Sequence, residues 1–291
     1  MTYGAILREL TVKVEGSRRK AVIGFDALEA YVKAGGYIGA IVGRYANRIA
    51  EGRFTLDGQR YQLTRNEKGK THLHGGDSGF DKKLWTIVES KSDRVTLGLH
   101  SPAGEEGYPG AVDVTCTYRV SPPATLVIEM AATSDAPTII NLTGHSYFNL
   151  DGEGDTRKHR LMIPAEEYLP VSADLIPTNP TPVSGTAFDF REPREVGQSG
   201  ASYDNTFIIA RERSAKPRLV AELASSKGDV LMRLSSTEPG LQFYDGAHVE
   251  HRGLCLEPQC FSDTPNRPDF PPCVLRPGET YRHLIVHEFR V

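Results

Sequence analysis

The 291-residue sequence has little of what marks a chain for most specialised roles. Its four cysteines, Cys116, Cys255, Cys260 and Cys273, are too few to staple a chain of this length, so reduced thiols are expected. No apolar run approaches the roughly 20 residues that span a bilayer. The opening Met1-Thr-Tyr-Gly-Ala-Ile-Leu-Arg-Glu9 meets charge after a few apolar residues and does not read as a signal peptide, which makes the cytoplasm the expected compartment. A net charge of −3 and a pI near 6.3 give no reason to expect a nucleic-acid or membrane partner. Low-complexity segments, linkers and internal repeats are absent, and a single domain over residues 1–291 is the expectation. Helix signals are scarce: only Asp26–Lys33, with Asp26 placed as N-cap and Glu29 three residues on, reads as a capping box of one or two turns.

What remains is a pattern of strands. Val112, Val114, Cys116, Tyr118 and Val120 alternate with small or polar residues, as a half-buried strand requires. Residues 126–132 and 229–235 read the same way and are bounded by Pro, Gly or Ser. In the segment 280–291, Tyr281, Ile285, His287 and Phe289 share one register and Leu284 and Val286 the other, which suggests burial on both sides for part of its length. With 28 Gly and 19 Pro spread along the chain, the pattern is all-β, many short strands joined by shaped loops. Stretches 101–110, 164–185 and 263–278 are candidate long loops, where binding groups tend to sit.

Several residues break this pattern in ways that suit chemistry. Asn47 and Arg48 set amide and guanidinium donors side by side, suited to clamping vicinal hydroxyls; the plainer reading pairs Arg48 with a carboxylate such as Glu51. Thr71-His-Leu-His-Gly-Gly76 places two histidines on one side of an extended segment. No third metal ligand is evident near them, and His72 reads as a strand histidine while His74, before two glycines, is the functional candidate. The segment Asn141-Leu-Thr-Gly-His-Ser-Tyr-Phe-Asn149 turns polar around His145, where Gly144 permits unusual backbone; an imidazole there can donate a proton near neutral pH. Asp204 stands at a strand entrance, where a carboxylate accepts from hydroxyls or simply forms a turn. Gln242 lies among aromatics, with Phe243 expected inward. Glu257 interrupts the apolar Gly253-Leu-Cys-Leu256 just ahead of Pro258; it is either solvated at a strand end or buried with a raised pKa, and buried it would be a competent base. Cys255 and Cys260 with His248 and His251 lack the spacing of a zinc site, so no metal is expected.

Taken together, Gly36–Ile49, His72–Gly76, Asn141–Leu150, Tyr203-Asp204, Pro239–Tyr244 and Leu256–Gln259 resemble the aldose 1-epimerases (galactose mutarotases), in that family's order and over nearly the whole chain. The resemblance implies a large antiparallel β-sandwich with an open sugar cleft, lacking the family's first N-terminal strands. By position it implies Glu257 as general base and His145 as general acid, with Asn47, Arg48, His74, Asp204 and Gln242 holding sugar hydroxyls. No cofactor is implied, and the partner is a small aldose such as galactose or glucose; the chain is expected as a monomer or homodimer. Asn205, Asp245 and Ala247 depart from the family's usual residues near the pocket. Two other functions fit the same scaffold. A hexose-phosphate mutarotase would recruit cations from among Arg44, Arg48, Arg53 and Arg65, and a non-catalytic carbohydrate-binding or regulatory protein could dispense with the acid or the base.

Overall fold

The alternation read in the sequence closes into two facing antiparallel sheets, seen in a computed structural model that describes all residues 1–291. The larger has nine strands. Its order is Arg194–Glu195, Arg160–Met162, Arg218–Ala224, Leu231–Ser236, Tyr281–Arg290, Thr125–Ser134, Val112–Ser121, Arg94–Ser101 and Thr86–Ser90. The smaller has six: Tyr147–Phe148, Leu254–Gln259, Gly240–Tyr244, Asp204–Ile208, Glu167–Leu169 and Thr181–Pro182.

One continuous core joins them. Val114, Cys116, Ile128, Met130, Leu234 and Ile285 enter it from the nine-stranded sheet, and Phe148, Phe207, Leu241, Phe243, Leu254 and Leu256 from the six-stranded one. Each fully buried side chain of this size contributes about 1.5–3 kcal/mol, so the inner faces fix the register of both sheets. The C-terminal strand alternates as its sequence suggested, with Tyr281, His283, Ile285, His287 and Phe289 buried and Leu284 and Val286 half-buried.

The inward aromatics decide where the chemistry goes. Because strand side chains alternate, burying Phe207, Phe243 and Leu256 turns Thr206, Gln242 and Glu257 to the opposite face. Those three sit directly across from one another in neighbouring strands, Thr206 opposite Gln242 and Gln242 opposite Glu257. The next rank holds Asp204, Tyr244, Cys255 and Tyr147. Glu257 is therefore neither at a strand end nor followed by a turn. Its strand continues to Gln259, and Pro258 is accommodated because the neighbouring strand on that side ends opposite Cys255.

Two local expectations fail. The helix runs Leu28–Ala34 with Ala27 as N-cap and no side-chain cap, so the Asp26–Glu29 capping box does not form. Tyr31 sets the register instead: its ring is buried and its hydroxyl accepts from the Phe25 amide at 2.8 Å, which fixes the helix start one residue late for Asp26. Gly144 has ordinary extended backbone paired with Ile41, and an added Cβ would meet only Ile41 and Ile128 at 3.7–3.8 Å, so the position makes no demand for glycine.

Candidate active site

Over the outer face of the six-stranded sheet lie loops pinned by very short strand pairs. Ile41–Val42 pairs with Thr143–Gly144, and Arg48–Ile49 with His72–Leu73. The first pair delivers His145, whose amide donates to the Ala40 carbonyl while its own carbonyl accepts from Gly39. The second delivers Asn47, Arg48 and His74. Asn47 and His74 both have left-handed backbone, with φ of 66° and 51°, and the His74 amide donates to the Asn47 carbonyl at 3.2 Å. That turn is why His72 and His74 do not share a side, contrary to the extended reading of the segment. His72 is wholly buried between the Thr64 carbonyl and the Tyr108 hydroxyl, a structural histidine as its strand position suggested. His74 turns the other way, its ring 5.4 Å from that of His145. Gly75 meets the Gly43 carbonyl so closely that a Cβ would lie 1.8 Å from it; the glycine serves this chain crossing.

These loops bring His145 and Glu257 together. His145 Nε2 lies 3.8 Å from Glu257 Oε1, and the two side chains are 7% and 3% exposed. Burial drives both groups toward neutrality. It pulls His145 down to about 4 and, with the like charge of Asp204, pushes Glu257 well above the usual carboxylate range, Arg48 opposing. Burial therefore favours a neutral imidazole beside a protonated carboxyl over the ion pair. The ion pair stays within reach, since opposite charges at this separation attract by about 4 kcal/mol at an effective dielectric of 20. Glu257 Oε2 has no protein partner and is free for a ligand.

His74 differs. The Asn47 amide donates to its Nδ1 at 3.1 Å, so the neutral ring carries its proton on Nε2. Burial, His145 and Arg48 hold its pKa well below 6.5. His74, His145 and Glu257 offer two nitrogens and an oxygen within 4.8 Å of one another, spacing that would suit a cation. The Asn47 bond makes His74 a hydrogen-bond donor there, which is the wrong role for a metal ligand.

Around the pair runs a polar network. Arg48 binds Glu67 through Nε and Nη2 at 2.8 and 2.9 Å and reaches Asp204 through Nη1 at 3.5 Å. Burial lowers its pKa, but Glu67 and Asp204 outweigh that and raise it. The Glu51 pairing considered from sequence goes to Arg53 instead. Gln242 donates to Asp204 Oδ1 at 2.7 Å and accepts from Thr206 at 2.6 Å. Asn47 Oδ1 accepts from the Arg48 amide, leaving its amide nitrogen free.

The structure thus gathers all seven sequence candidates, and adds four residues that sequence reasoning missed. Thr206 and Cys255 share strand faces with Asp204 and Glu257, a period-two signal that was available. Glu67 sits in a polar loop that gave no signal. Tyr37, whose ring lies 4.6 Å from His74 and 5.7 Å from His145, follows a helix end and gave none either. Asn205 spends its amide on the Leu169 carbonyl, and Asp245 accepts from the Tyr203 amide, so both of these departures do structural work. The arginines named for a phosphate do not converge. Arg44 is buried against the carbonyls of Ser101, Pro102, Pro109 and Gly110, Arg53 and Arg65 are exposed, and Arg48 is committed to carboxylates.

A family profile described as aldose 1-epimerase matches residues 1–288. The galactose mutarotase of Rattus norvegicus is 41% identical over all of this chain and 90% of its own length. The aldose 1-epimerase of Escherichia coli K12 is 36% identical over 99% of this chain and 90% of that protein. A GalM/aldose epimerase homologue from C. elegans superposes with a TM-score of 0.93 at 30% identity, covering 99% of this chain and 94% of its own. The galactose 1-epimerase of Lactobacillus acidophilus NCFM gives 0.85 at 28%, covering 99% and 89%.

Proposed function

Because this chain belongs to the aldose 1-epimerase family, whose reaction exchanges α and β anomers, we propose that Glu257 and His145 open the ring of a free aldohexose such as galactose or glucose. The observation that carries the reading is the buried approach of His145 Nε2 to Glu257 Oε1 at 3.8 Å, with hydroxyl-binding groups on either side.

Mutarotation needs one proton removed and one delivered. Glu257, as carboxylate, takes the proton of the anomeric hydroxyl; His145, as imidazolium, protonates the ring oxygen. The C1–O5 bond breaks, the C1 carbonyl forms, and both catalytic groups become neutral, the state that burial favours. Rotation about C1–C2 presents the other carbonyl face, and the two transfers run in reverse to give the opposite anomer. The pair carries one proton throughout, so no exchange with solvent is required. Each positioned transfer contributes about 10²–10⁴-fold. Asp204 and Glu67 accept from sugar hydroxyls, and Arg48, Asn47, His74 and the second amide hydrogen of Gln242 donate to them.

Polarimetry with freshly dissolved α-galactose and α-glucose tests this. Glu257→Gln and His145→Ala are each expected to abolish the catalysed decay of optical rotation while the protein still folds. Near-wild-type rates in either variant sink the assignment. Sugar binding without any acceleration by the wild type would favour the non-catalytic reading.

A further inference from the structure

Behind His145, on the side away from Glu257, lies a group the scheme above does not use. Cys255 Sγ is 3.5 Å from His145 Nδ1, and neither side chain sees appreciable solvent, Cys255 being 0% exposed. Cys255 stands two residues before Glu257 on the same strand face, so one strand presents both neighbours of the imidazole, one at each ring nitrogen. Its cross-strand partner is Tyr147, whose ring stacks on that of His145 with centroids 5.2 Å apart. The Tyr147 hydroxyl donates to the Gly36 carbonyl at 3.1 Å.

The role of Cys255 follows from which ring nitrogen carries the proton. A ring nitrogen that passes a proton back and forth must be bare in one half of the cycle, so the other nitrogen has to stay protonated throughout. In His145 the shuttling atom is Nε2, the one facing Glu257; Nδ1 therefore keeps its hydrogen and needs an acceptor. Two are at hand, the residue's own carbonyl, which also receives the Gly39 amide, and Cys255 Sγ, the one acceptor contributed by another side chain.

We propose that Cys255 is a positioning residue for the reaction, its sulfur accepting Nδ1–H of His145 and so holding the tautomer that leaves Nε2 free to carry the proton. The proposal rests on reading His145 as the proton donor. A neutral sulfur also suits that donor better than a carboxylate would. It orients the ring without stabilising the imidazolium, and the imidazolium remains a strong acid toward the sugar oxygen.

The test compares Cys255→Ser, which keeps a hydrogen-bonding atom, with Cys255→Val, which keeps bulk and removes it. Folding is checked by thermal denaturation. The tautomer is read by long-range ¹⁵N–¹H correlation on protein labelled at histidine, at pH 7, where the ring is neutral. The wild type is expected to show Nδ1 protonated and Nε2 bare. Cys255→Val should shift the ring toward a tautomer mixture and lower kcat about 10-fold with KM within about 2-fold, the effect of one weak hydrogen bond at a proton-transfer group. Cys255→Ser should restore both signals. A wild-type ring protonated on Nε2 overturns the proposal. So does wild-type kcat and tautomer in Cys255→Val, or a serine variant that falls as far as the valine one. Failure of the proton-donor reading is separable: it would show as activity retained in His145→Ala, whereas the ¹⁵N signature reports on Cys255 independently of turnover.

Discussion

The Thr206 hydroxyl donates to Gln242 Oε1 at 2.6 Å, and this bond decides which end of the amide meets Asp204. With Oε1 committed, Nε2 must face outward from Thr206, and it donates to Asp204 Oδ1 at 2.7 Å. Asp204 in turn meets Arg48, itself held bidentately by Glu67. A chain of groups that cannot reverse their polarity thus runs from the sheet to the cleft, and each presents one fixed hydrogen-bonding sign to a sugar.

Thr206→Val removes the bond that orients this chain while keeping its shape. A neutral hydrogen bond contributes about 1 kcal/mol, so KM for the preferred aldose should rise about 5- to 10-fold with kcat nearly unchanged. Initial-rate polarimetry over a range of sugar concentrations separates the two; a fall in kcat alone would place Thr206 in the proton transfers instead.

Arg48→Lys tests whether the guanidinium matters as a fork or as a charge. Lysine can keep the charge near Glu67 but not the paired contact through Nε and Nη2 together with the reach to Asp204. The expected outcome is a KM raised at least about 10-fold. Unaltered saturation kinetics would mean that Arg48 only neutralises its acidic neighbours.

The catalytic pair predicts a bell-shaped pH dependence of kcat/KM, once the uncatalysed rate is subtracted. Activity requires one proton on the pair. Below about pH 4 His145 gains a second proton beside an already protonated Glu257 and no base is left. At the alkaline end Glu257, whose pKa burial raises well above 4.5, loses its proton while the imidazole is neutral, and no acid is left. An acid limb near 6.5 rather than near 4 would show that the imidazole is not desolvated in solution.

How far the sequence revealed all this depends on the range of the interaction. Strands such as Val112–Ser121 and Tyr281–Arg290 announced themselves because one face of each meets the core, and burial on one side writes a period of two into the residues. The pairs Ile41–Val42 with Thr143–Gly144 and Arg48–Ile49 with His72–Leu73 could not be read. Each is two residues long and depends on partners up to about a hundred positions away, which no local pattern encodes. Those short pairs are what set His145 and His74 beside Glu257. Residue type and the family resemblance named the acid and the base; only the tertiary crossing supplies the 3.8 Å between them.

His287 offers a measure of what burying an imidazole costs away from the site. It lies in the C-terminal strand with its ring 5.4 Å from that of Phe148, and burial lowers its pKa to about 4. In the unfolded chain it protonates near 6.5, so the native state is favoured in full above pH 6.5 and loses this contribution as the pH falls toward 4. The drop from 6.5 to about 4 corresponds to about 3 kcal/mol. His287→Leu removes the titration while keeping an apolar side chain in the core. Urea unfolding followed from pH 7 to pH 4 should therefore show the variant losing about 3 kcal/mol less stability than the wild type over that interval. Parallel losses in the two proteins would mean that His287 is solvated in the native state, and the acid sensitivity would then lie with the other buried histidines, His72, His74, His145, His159 and His283.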